Sequence, residues 1–379
     1  MATKKSPWLT NMPYLVLTVF FLLAPVAFTS RTWLNTFITI FVSVVGSVSL
    51  RTIALSGNMS FAHGAFIGLG AYAAGVLSKE LGLPMYLSVP AGAVTATIIG
   101  LITGWPFARL RSIYFCMGSM FMGVAIIQLI SSANLTGGAI GLRGVPSLSK
   151  ALSGILDTGI GAFLGRIGIG STQLSYYFFL LITLISLLCL YRFEHSRIGW
   201  TLKALSQSPD VAASTGINEK YFRLLSVCFG CFFAGLIGAV YAHYNTTLAP
   251  TGYSMGTTLW LIMYMMIGGK NSFLGPIVGA IVLELIKQVS SLLTAMSGSA
   301  NASEGFISFS RWVGQYASYV PFFTALVLLV VAYFLPGGLV SIPGAIKGIR
   351  SRRLGGGAVL ATAADSPAAS TEGGDGDAS

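Results

Sequence analysis

Long apolar runs alternate with short polar connectors along most of this chain. The runs are apolar on every side, and about 20 such residues allow a helix to cross a bilayer. A transmembrane β-barrel would instead alternate apolar and polar positions. The pattern predicts an all-α polytopic membrane protein with about eight to ten transmembrane helices, some of them short or re-entrant. The candidate spans are roughly 12–29, 33–50, 62–78, 86–106, 113–132, 174–191, 221–243, 256–268, 274–294 and 316–335.

The longest polar interruption, residues 193–223, has a predicted span on each side. Residues 199–207 are predicted to form one short helix, and a second follows after a break. The second helix is marked by Ser208 at its cap, Pro209 and Asp210 in its first turn and Gly216 at its end, with Asn218 capping the next span. This order predicts a short helix along the membrane surface that contacts a partner. The alternative is a solvated connector.

A second polar break enters the third candidate span. Ser56, Asn58, Ser60 and His63 precede or begin an apolar helix, and irregular backbone at membrane depth must be buried in protein or line water. The segment is therefore a candidate for the translocation path, and a loop followed by a packing helix is the alternative. Small residues at helical spacing, Gly64, Gly68 and Gly75, predict close helix packing. A segment with a weakly similar sequence pattern occurs at 269–279.

Charge and composition narrow the class further. The chain is 54% hydrophobic and 9% charged, whereas soluble domains carry about 25% charged residues. The net charge of +11 is spread through short loops, which is an orientation signal and not a sign of nucleic-acid binding. With the N-terminus inside, most basic residues fall on the cytoplasmic side. Both termini and the 193–223 loop are then cytoplasmic.

The predicted spans and their orientation divide the chain into two regions. Residues 1–340 form a transmembrane domain, in which 133–173 is an external loop, and residues 341–379 form a cytoplasmic tail, first basic and then disordered. The first apolar run follows Lys4 and Lys5 and has the start of a signal peptide. The lack of a small-x-small cleavage site after it favours an uncleaved span.

Chemistry-bearing residues are few. Glu284 and Lys287 lie three apart within one span, so they are candidates for an intramembrane ion pair or for water-facing pathway residues. The sequence contains no P-loop, no metal-ligand spacing of histidines and no nucleophile–base arrangement. Cys228 and Cys231 lie in an apolar run and are predicted to be packing residues. The chain is therefore not expected to be an enzyme, to bind a metal or to hydrolyse ATP.

Five segments, in order, resemble one family. They are Gly57–Tyr72, Leu110–Cys116, Thr136–Leu142, Ser196–Asn218 and Gly268–Ala280. Together they are similar to the permeases of branched-chain amino-acid ABC importers, in particular the longer of the two permease types, over roughly residues 35–340. The chain departs from the family pattern at Asn58, Ala62, Ser206–Asp210 and Lys270–Asn271.

The resemblance implies a bacterial inner-membrane importer. A periplasmic solute-binding protein would deliver the solute, a second homologous permease would share the path, and two ABC ATPase subunits would bind ATP and Mg; this chain would hold no cofactor. The resemblance implies that the 193–223 loop couples to the ATPase through Arg197, Gly199, Trp200, Leu202, Ala204, Leu205, Asp210, Ala213 and Gly216. The expected cargo is a branched-chain or related amino acid. Alternatives are urea or short amides, an ion-driven secondary transporter, and a membrane scaffold or receptor without transport.

Overall fold

The computed structural model describes residues 7–27, 30–110, 113–148, 170–297 and 338–339. In chain order the helices are α1 (Pro7–Ala27), α2 (Arg31–Ala54), α3 (His63–Glu80), α4 (Met85–Phe107), α5 (Ile113–Ser132), α6 (Ser171–Glu194), α7 (Arg197–Gln207), α8 (Pro209–Ser214), α9 (Glu219–Asn245), α10 (Met255–Gly268) and α11 (Leu274–Ser297). Short 3₁₀ turns lie at Asn134–Thr136, Gly138–Ile140 and Pro250–Tyr253. Strands β1 (Leu142–Arg143) and β2 (Thr247–Leu248) pair antiparallel.

The prediction of an all-α polytopic membrane protein is confirmed. Each candidate span up to residue 294 coincides with one helix, and α2, α4, α5, α6 and α9 are long and apolar enough to cross a membrane. The tenth candidate span, 316–335, and the predicted tail, 341–379, lie outside the described residues. Helix α10 has 14 residues. At about 1.5 Å per residue it reaches only ~21 Å, less than the roughly 30 Å hydrocarbon core, as expected for the short eighth span.

Burial separates central helices from peripheral ones. In the most apolar window of α2, 83% of residues are buried, compared with 28% in α5. Helices α4 and α5 expose large apolar side chains, among them Ile102, Phe121 and Leu129. Exposed apolar surface of this extent suits a hydrocarbon environment. Helix α2 therefore lies in the core, and α5 forms part of the lipid-facing surface.

Glycines bring α3, α4 and α9 into backbone contact. A Cβ placed on Gly70 of α3 would lie 2.2 Å from the carbonyl oxygen of Gly235 in α9. A Cβ on Gly92 of α4 would lie 2.6 Å from the Gly70 oxygen, and one on Gly238 of α9 would lie 2.0 Å from the Ile67 oxygen. Helices in lipid associate largely through such close van der Waals packing. These three helices therefore form one tightly joined unit.

The connections alternate between two ends of the helical bundle. At one end, the Arg223 Nη1 donates a hydrogen bond to the Leu110 carbonyl at 2.8 Å, and the turn at Gly57 contacts Ser206. At the other end lie the β1–β2 pair and the loop that carries Pro146. The alternation agrees with the predicted order of spans and places the 193–223 segment at the same end as the 55–62 break.

Candidate functional site

The 193–223 segment forms two helices in the predicted places. Ser196 Oγ accepts a hydrogen bond from the Gly199 amide and caps α7, and Pro209 is the first residue of α8. Gly216 follows α8 with a φ of 82°, a left-handed conformation that glycine adopts without strain. Asn218 Oδ1 accepts from the Tyr221 amide at 3.3 Å and caps α9. Ser208 takes the N-cap position of α8 but makes no side-chain capping hydrogen bond, which corrects the predicted cap.

Three of the predicted coupling residues point into the protein instead of outward. Leu202 and Leu205 are fully buried. Gly199 is also buried, and a Cβ on it would lie 2.1 Å from the Glu194 carbonyl oxygen. The expectation that Leu202 and Leu205 face an ATPase is therefore wrong, because both side chains are buried, while the coupling role of Gly199 stays a prediction. Their apolar or absent side chains fix α7 to the membrane domain.

The remaining predicted coupling residues form an exposed surface, which we call the outer face. Arg197, Trp200 and Ala204 are spaced by three and four positions and are exposed on one side of α7. Asp210, Ala213 and Gly216 are exposed on and after α8. Trp200 is 63% exposed, and Val211, whose exposure was not predicted, is 64% exposed. The outer face thus offers apolar side chains among small and charged residues, which suits a protein contact.

The inner face of α7 joins a network of charged groups. Lys203 Nζ lies 2.9 Å from Glu194 Oε1, and the two terminal nitrogens of Arg51 donate to the two Glu194 carboxylate oxygens. Arg51 Nε also donates to the Lys270 carbonyl oxygen at 2.9 Å. No motif predicted this network. One signal was available: Glu194 is one of only 11 acidic residues in the chain, and it ends a span next to a basic loop.

The polar side chains of the break at 55–62 are buried in protein, whereas Gly57 is exposed. Ser56, Asn58, Ser60 and His63 are all buried. Ser56 Oγ donates to the Ile53 carbonyl at 2.7 Å, and His63 Nε2 lies 2.8 Å from Ser49 Oγ. These polar side chains therefore satisfy the requirement for burial in protein. The assignment of these four residues to a path stays a prediction.

The two segments with similar sequence patterns, near Gly57 and Gly269, also have similar local structures. Gly57 follows α2 with a φ of 83°, and Gly269 follows α10 with a φ of 113°. Each begins a short non-helical turn that leads into the next helix, α3 or α11. Arg51, in the last turn of α2, bonds to the second turn at Lys270. The two breaks are therefore neighbours in space.

The small residues of α3 lie in close contact with neighbouring segments. A Cβ on Gly64 would lie 2.9 Å from Thr258 Oγ1 in α10 and 3.0 Å from the Ser254 carbonyl oxygen, and the Gly64 amide donates to Thr258 Oγ1 at 2.8 Å. A Cβ on Gly68 would lie 2.6 Å from Tyr253 Cβ, and one on Gly75 would lie 2.9 Å from a Leu142 methyl group. Gly64 thus packs against the start of α10, as the prediction of helix packing expects, whereas Gly68 and Gly75 accommodate the non-helical segment 246–254 and the β1–β2 pair.

Glu284 and Lys287 form the predicted ion pair. Lys287 Nζ lies 2.8 Å from Glu284 Oε1, and the same oxygen accepts from Ser43 Oγ at 2.8 Å and from the Tyr264 hydroxyl at 2.6 Å. The ammonium also lies 4.6 Å from the centre of the Trp260 ring, a cation–π distance. The pair joins α2, α10 and α11, as the structural alternative predicted.

Other types of site find little support. Among the described residues, no three His, Cys, Asp or Glu side chains are grouped to hold a metal. A cavity of about 300 Å³ lies between α1, α2, α6 and α11. Its walls are mainly apolar and include Phe21, Phe41, Leu187 and Phe273, so it does not suit a polar solute. The outer face and the network beneath it are therefore the candidate functional site.

Comparisons with known proteins give one family match and several distant relatives. The profile of a family described as "Branched-chain amino acid transport system / permease component" matches residues 32–332. The high-affinity branched-chain amino acid transport system permease protein LivM of Escherichia coli (strain K12) is 24% identical over 248 residues, which cover 62% of this chain and 58% of the relative. The chain thus spans less than two thirds of the length of that relative.

Two other relatives indicate the breadth of the similarity. The probable branched-chain amino acid transport permease protein LivH of Methanocaldococcus jannaschii is 25% identical over 259 residues, covering 66% of this chain and 76% of that protein. The ribose import permease protein RbsC of Escherichia coli (strain K12) is 22% identical over 284 residues, covering 73% of this chain and 82% of that protein. No solved structure matches the chain.

Proposed function

Because this chain belongs to the family of branched-chain amino acid transport system permease components, we propose that it is the membrane permease subunit of an ATP-driven importer. Its cargo would be a small polar solute, and the names of the LivM and LivH relatives favour a branched-chain or related amino acid. The similarity to ribose permeases leaves other small polar solutes, including urea and short amides, as the alternative cargo.

The observation that carries the proposal is the outer face of α7 and α8. Trp200 and Val211 are exposed on helices that lie at the end of the bundle, beside charged groups and not in the apolar belt. A large aromatic side chain in such a setting is typical of a protein interface. The matching partner is an ABC ATPase subunit, since the chain has no P-loop of its own.

The remaining partners follow from the same proposal. Two ATPase subunits carry ATP and Mg, a second homologous permease completes the membrane unit, and a periplasmic solute-binding protein docks at the opposite end. The 193–223 segment and both termini lie in the cytoplasm, and the chain lies in a bacterial inner membrane. The Ser56–His63 segment would contribute to the path when the permease changes its facing, because its turn at Gly57 lies against Ser206 at the end of α7.

A rigid connection is required for coupling. ATP binding can shift the permease between two facings only through a difference in affinity for them, and that difference must reach the membrane helices. Helix α7 meets this requirement because Leu202 and Leu205 are buried and Gly199 contacts the end of α6. A flexible connector would not transmit the movement of the ATPase to the membrane helices.

Arginine substitutions on the outer face test the proposal. Ala204→Arg and Ala213→Arg place a long cation on the proposed interface, and Ala139→Arg places the same group on an exposed alanine at the opposite end of the bundle. We expect the first two to release the ATPase and abolish ATP-dependent uptake of labelled leucine, isoleucine and valine in proteoliposomes, with thermal stability unchanged. Ala139→Arg should retain the ATPase.

Normal uptake by both outer-face variants would refute the coupling assignment. Uptake by vesicles without ATPase subunits, and its loss on collapse of the ion gradient, would favour an ion-driven transporter. No flux with any partner would favour a scaffold or receptor.

A further inference from the structure

Glu194 holds charged groups from two other helices. It ends α6, and both of its carboxylate oxygens accept from the Arg51 guanidinium at the end of α2. Lys203, on the inner face of α7, lies 2.9 Å from one of the same oxygens. A guanidinium and a carboxylate joined by two parallel hydrogen bonds have a fixed mutual orientation. The Glu194 carboxylate therefore fixes the position of α7 relative to α2 and α6.

Arg51 extends this connection to a third site. Its Nε donates to the Lys270 carbonyl oxygen at 2.9 Å, in the turn between α10 and α11. The guanidinium is planar and its donors diverge in a rigid fork, so a shift of Glu194 changes the direction of the bond to Lys270. A continuous chain of polar contacts therefore runs from α7 to the α10–α11 turn.

The three charged side chains are unequally buried. The Arg51 and Glu194 side chains are 3% and 6% exposed, whereas that of Lys203 is 30% exposed. Removing Lys203 leaves Arg51 and Glu194 as a neutral pair, while removing Glu194 leaves a buried cation without its counter-charge. Breaking a buried pair is costly, and a partly exposed lysine contact is weak. Lys203 is thus the member that can detach while the buried pair stays intact.

A second contact of α7 reaches the other break. A Cβ on Gly57 would lie 3.3 Å from Ser206 Cα, so the end of α7 rests against the turn between α2 and α3. One face of α7 therefore communicates with both glycine-containing breaks, directly at Gly57 and through Arg51 at Lys270. Both breaks are non-helical, so each can change its conformation without unwinding a helix.

We propose that Lys203 is a positioning residue that links movement of α7 to the α10–α11 turn through Glu194 and Arg51. The inference rests on the proposed function, because an ATPase must move α7. Lys203 bonds to Glu194 of the membrane domain, and its Nζ also lies 5.2 Å from the centre of the Trp200 ring on the outer face, so the test measures ATPase binding separately from transport. The arrangement predicts that loss of Lys203 uncouples ATP hydrolysis from solute uptake while the ATPase stays bound to the permease.

The test compares three variants of the assembled importer in proteoliposomes with its binding protein. Lys203→Met removes the charge, Lys203→Arg retains it, and Lys220→Met removes an exposed lysine from the same loop. The measurements are the amount of ATPase bound, the rate of ATP hydrolysis and the number of solute molecules taken up per ATP. For Lys203→Met we expect bound ATPase, continued hydrolysis and uptake per ATP reduced by up to about fivefold, the size expected when a partly exposed ion pair is lost. Lys203→Arg should restore the ratio, and Lys220→Met should leave it unchanged.

Two outcomes contradict the inference in different ways. If Lys203→Met binds ATPase and takes up as much solute per ATP as the unaltered chain, the positioning role is wrong and the proposed function stands. If the unaltered chain neither binds ATPase nor takes up solute with ATP, the proposed function fails and the inference fails with it. Loss of ATPase binding in Lys203→Met would also overturn the inference, because it would place Lys203 at the interface.

Discussion

Replacing Gly70 by alanine should destabilise the unit formed by α3, α4 and α9. The new Cβ would lie 2.2 Å from the Gly235 carbonyl oxygen and 2.4 Å from Gly235 Cα. Favourable contacts between carbon atoms need about 3.5–4.0 Å, so the two backbones must separate by roughly 1 Å. Overpacking of this kind typically costs about 1–3 kcal/mol. We expect the upper half of that range, because the obstacle is backbone and not a flexible side chain.

The expected shift in melting temperature follows from the size of the chain. An unfolding entropy of about 2.1 cal/mol/K per residue amounts to roughly 0.8 kcal/mol/K for 379 residues, so Gly70→Ala should lower the midpoint by about 3–4 °C. Gly252→Ala is the matched control, because a Cβ on Gly252 meets no atom within 4 Å and its φ is not positive. Gly252→Ala should have the same melting temperature as the unaltered protein.

The chain contains its own reporter of unfolding. Cys231 is buried in α9, where its Sγ would lie 2.7 Å from a Cβ on Gly100 of α4. With the other cysteines replaced by alanine, reaction of a fluorogenic thiol reagent during heating reports separation of α4 and α9. Equal midpoints for Gly70→Ala and Gly252→Ala would refute the role assigned to this contact.

Two further predictions concern other contacts of the bundle. Gly199→Ala should displace α7, since its Cβ would lie 2.1 Å from the Glu194 oxygen, and it should speed trypsin cleavage within 193–223; unchanged cleavage would show that α7 is not held there. Lys287→Met should lower the free energy of unfolding by about 1 kcal/mol, because Lys287 is partly exposed and the Glu284 carboxylate keeps its hydrogen bonds from Ser43 and Tyr264. The double variant with Glu284→Leu should recover much of the loss, and simple additivity of the two single effects would contradict the pairing.

The spans and the surface helices could be predicted because each depends on local chemistry. A helix in lipid must bond its own backbone and present apolar side chains throughout, so runs such as 113–132 reveal α5 directly. Pro209, Gly216 and Asn218 restrict the backbone or cap it within a few residues. The positions of α8 and the start of α9 follow from them.

The inner and outer faces of α7 could not be predicted in the same way. Leu202, Leu205 and Trp200 are all apolar, and the sequence does not say which of them meets the membrane domain. That choice depends on α6 and α9, which pack beneath α7. The Arg51–Glu194 bond joins residues 143 positions apart, and the partner of a charge at such a separation is set by the three-dimensional packing of helices.

The small residues of α3 could be assigned to close packing from the sequence, but their neighbours could not be identified. A small residue every fourth position favours close approach by any segment. At Gly64 the neighbours are Thr258 in α10 and Ser254, and at Gly68 the neighbour is the Tyr253 side chain, in the non-helical segment before α10. Its identity depends on the turn after Thr246, which has a φ of 56° and is a rare conformation for a residue other than glycine.

The groove along α3 has a consequence for the order in which the chain assembles in the membrane. The segment 246–254 contains no α-helix, and an isolated non-helical backbone cannot enter lipid because each unsatisfied polar group costs several kcal/mol. It needs a surface that is already present: the glycine face of α3 and the Tyr72 hydroxyl, which donates to the Leu248 carbonyl at 2.9 Å. Insertion of α3 must therefore precede the docking of this segment.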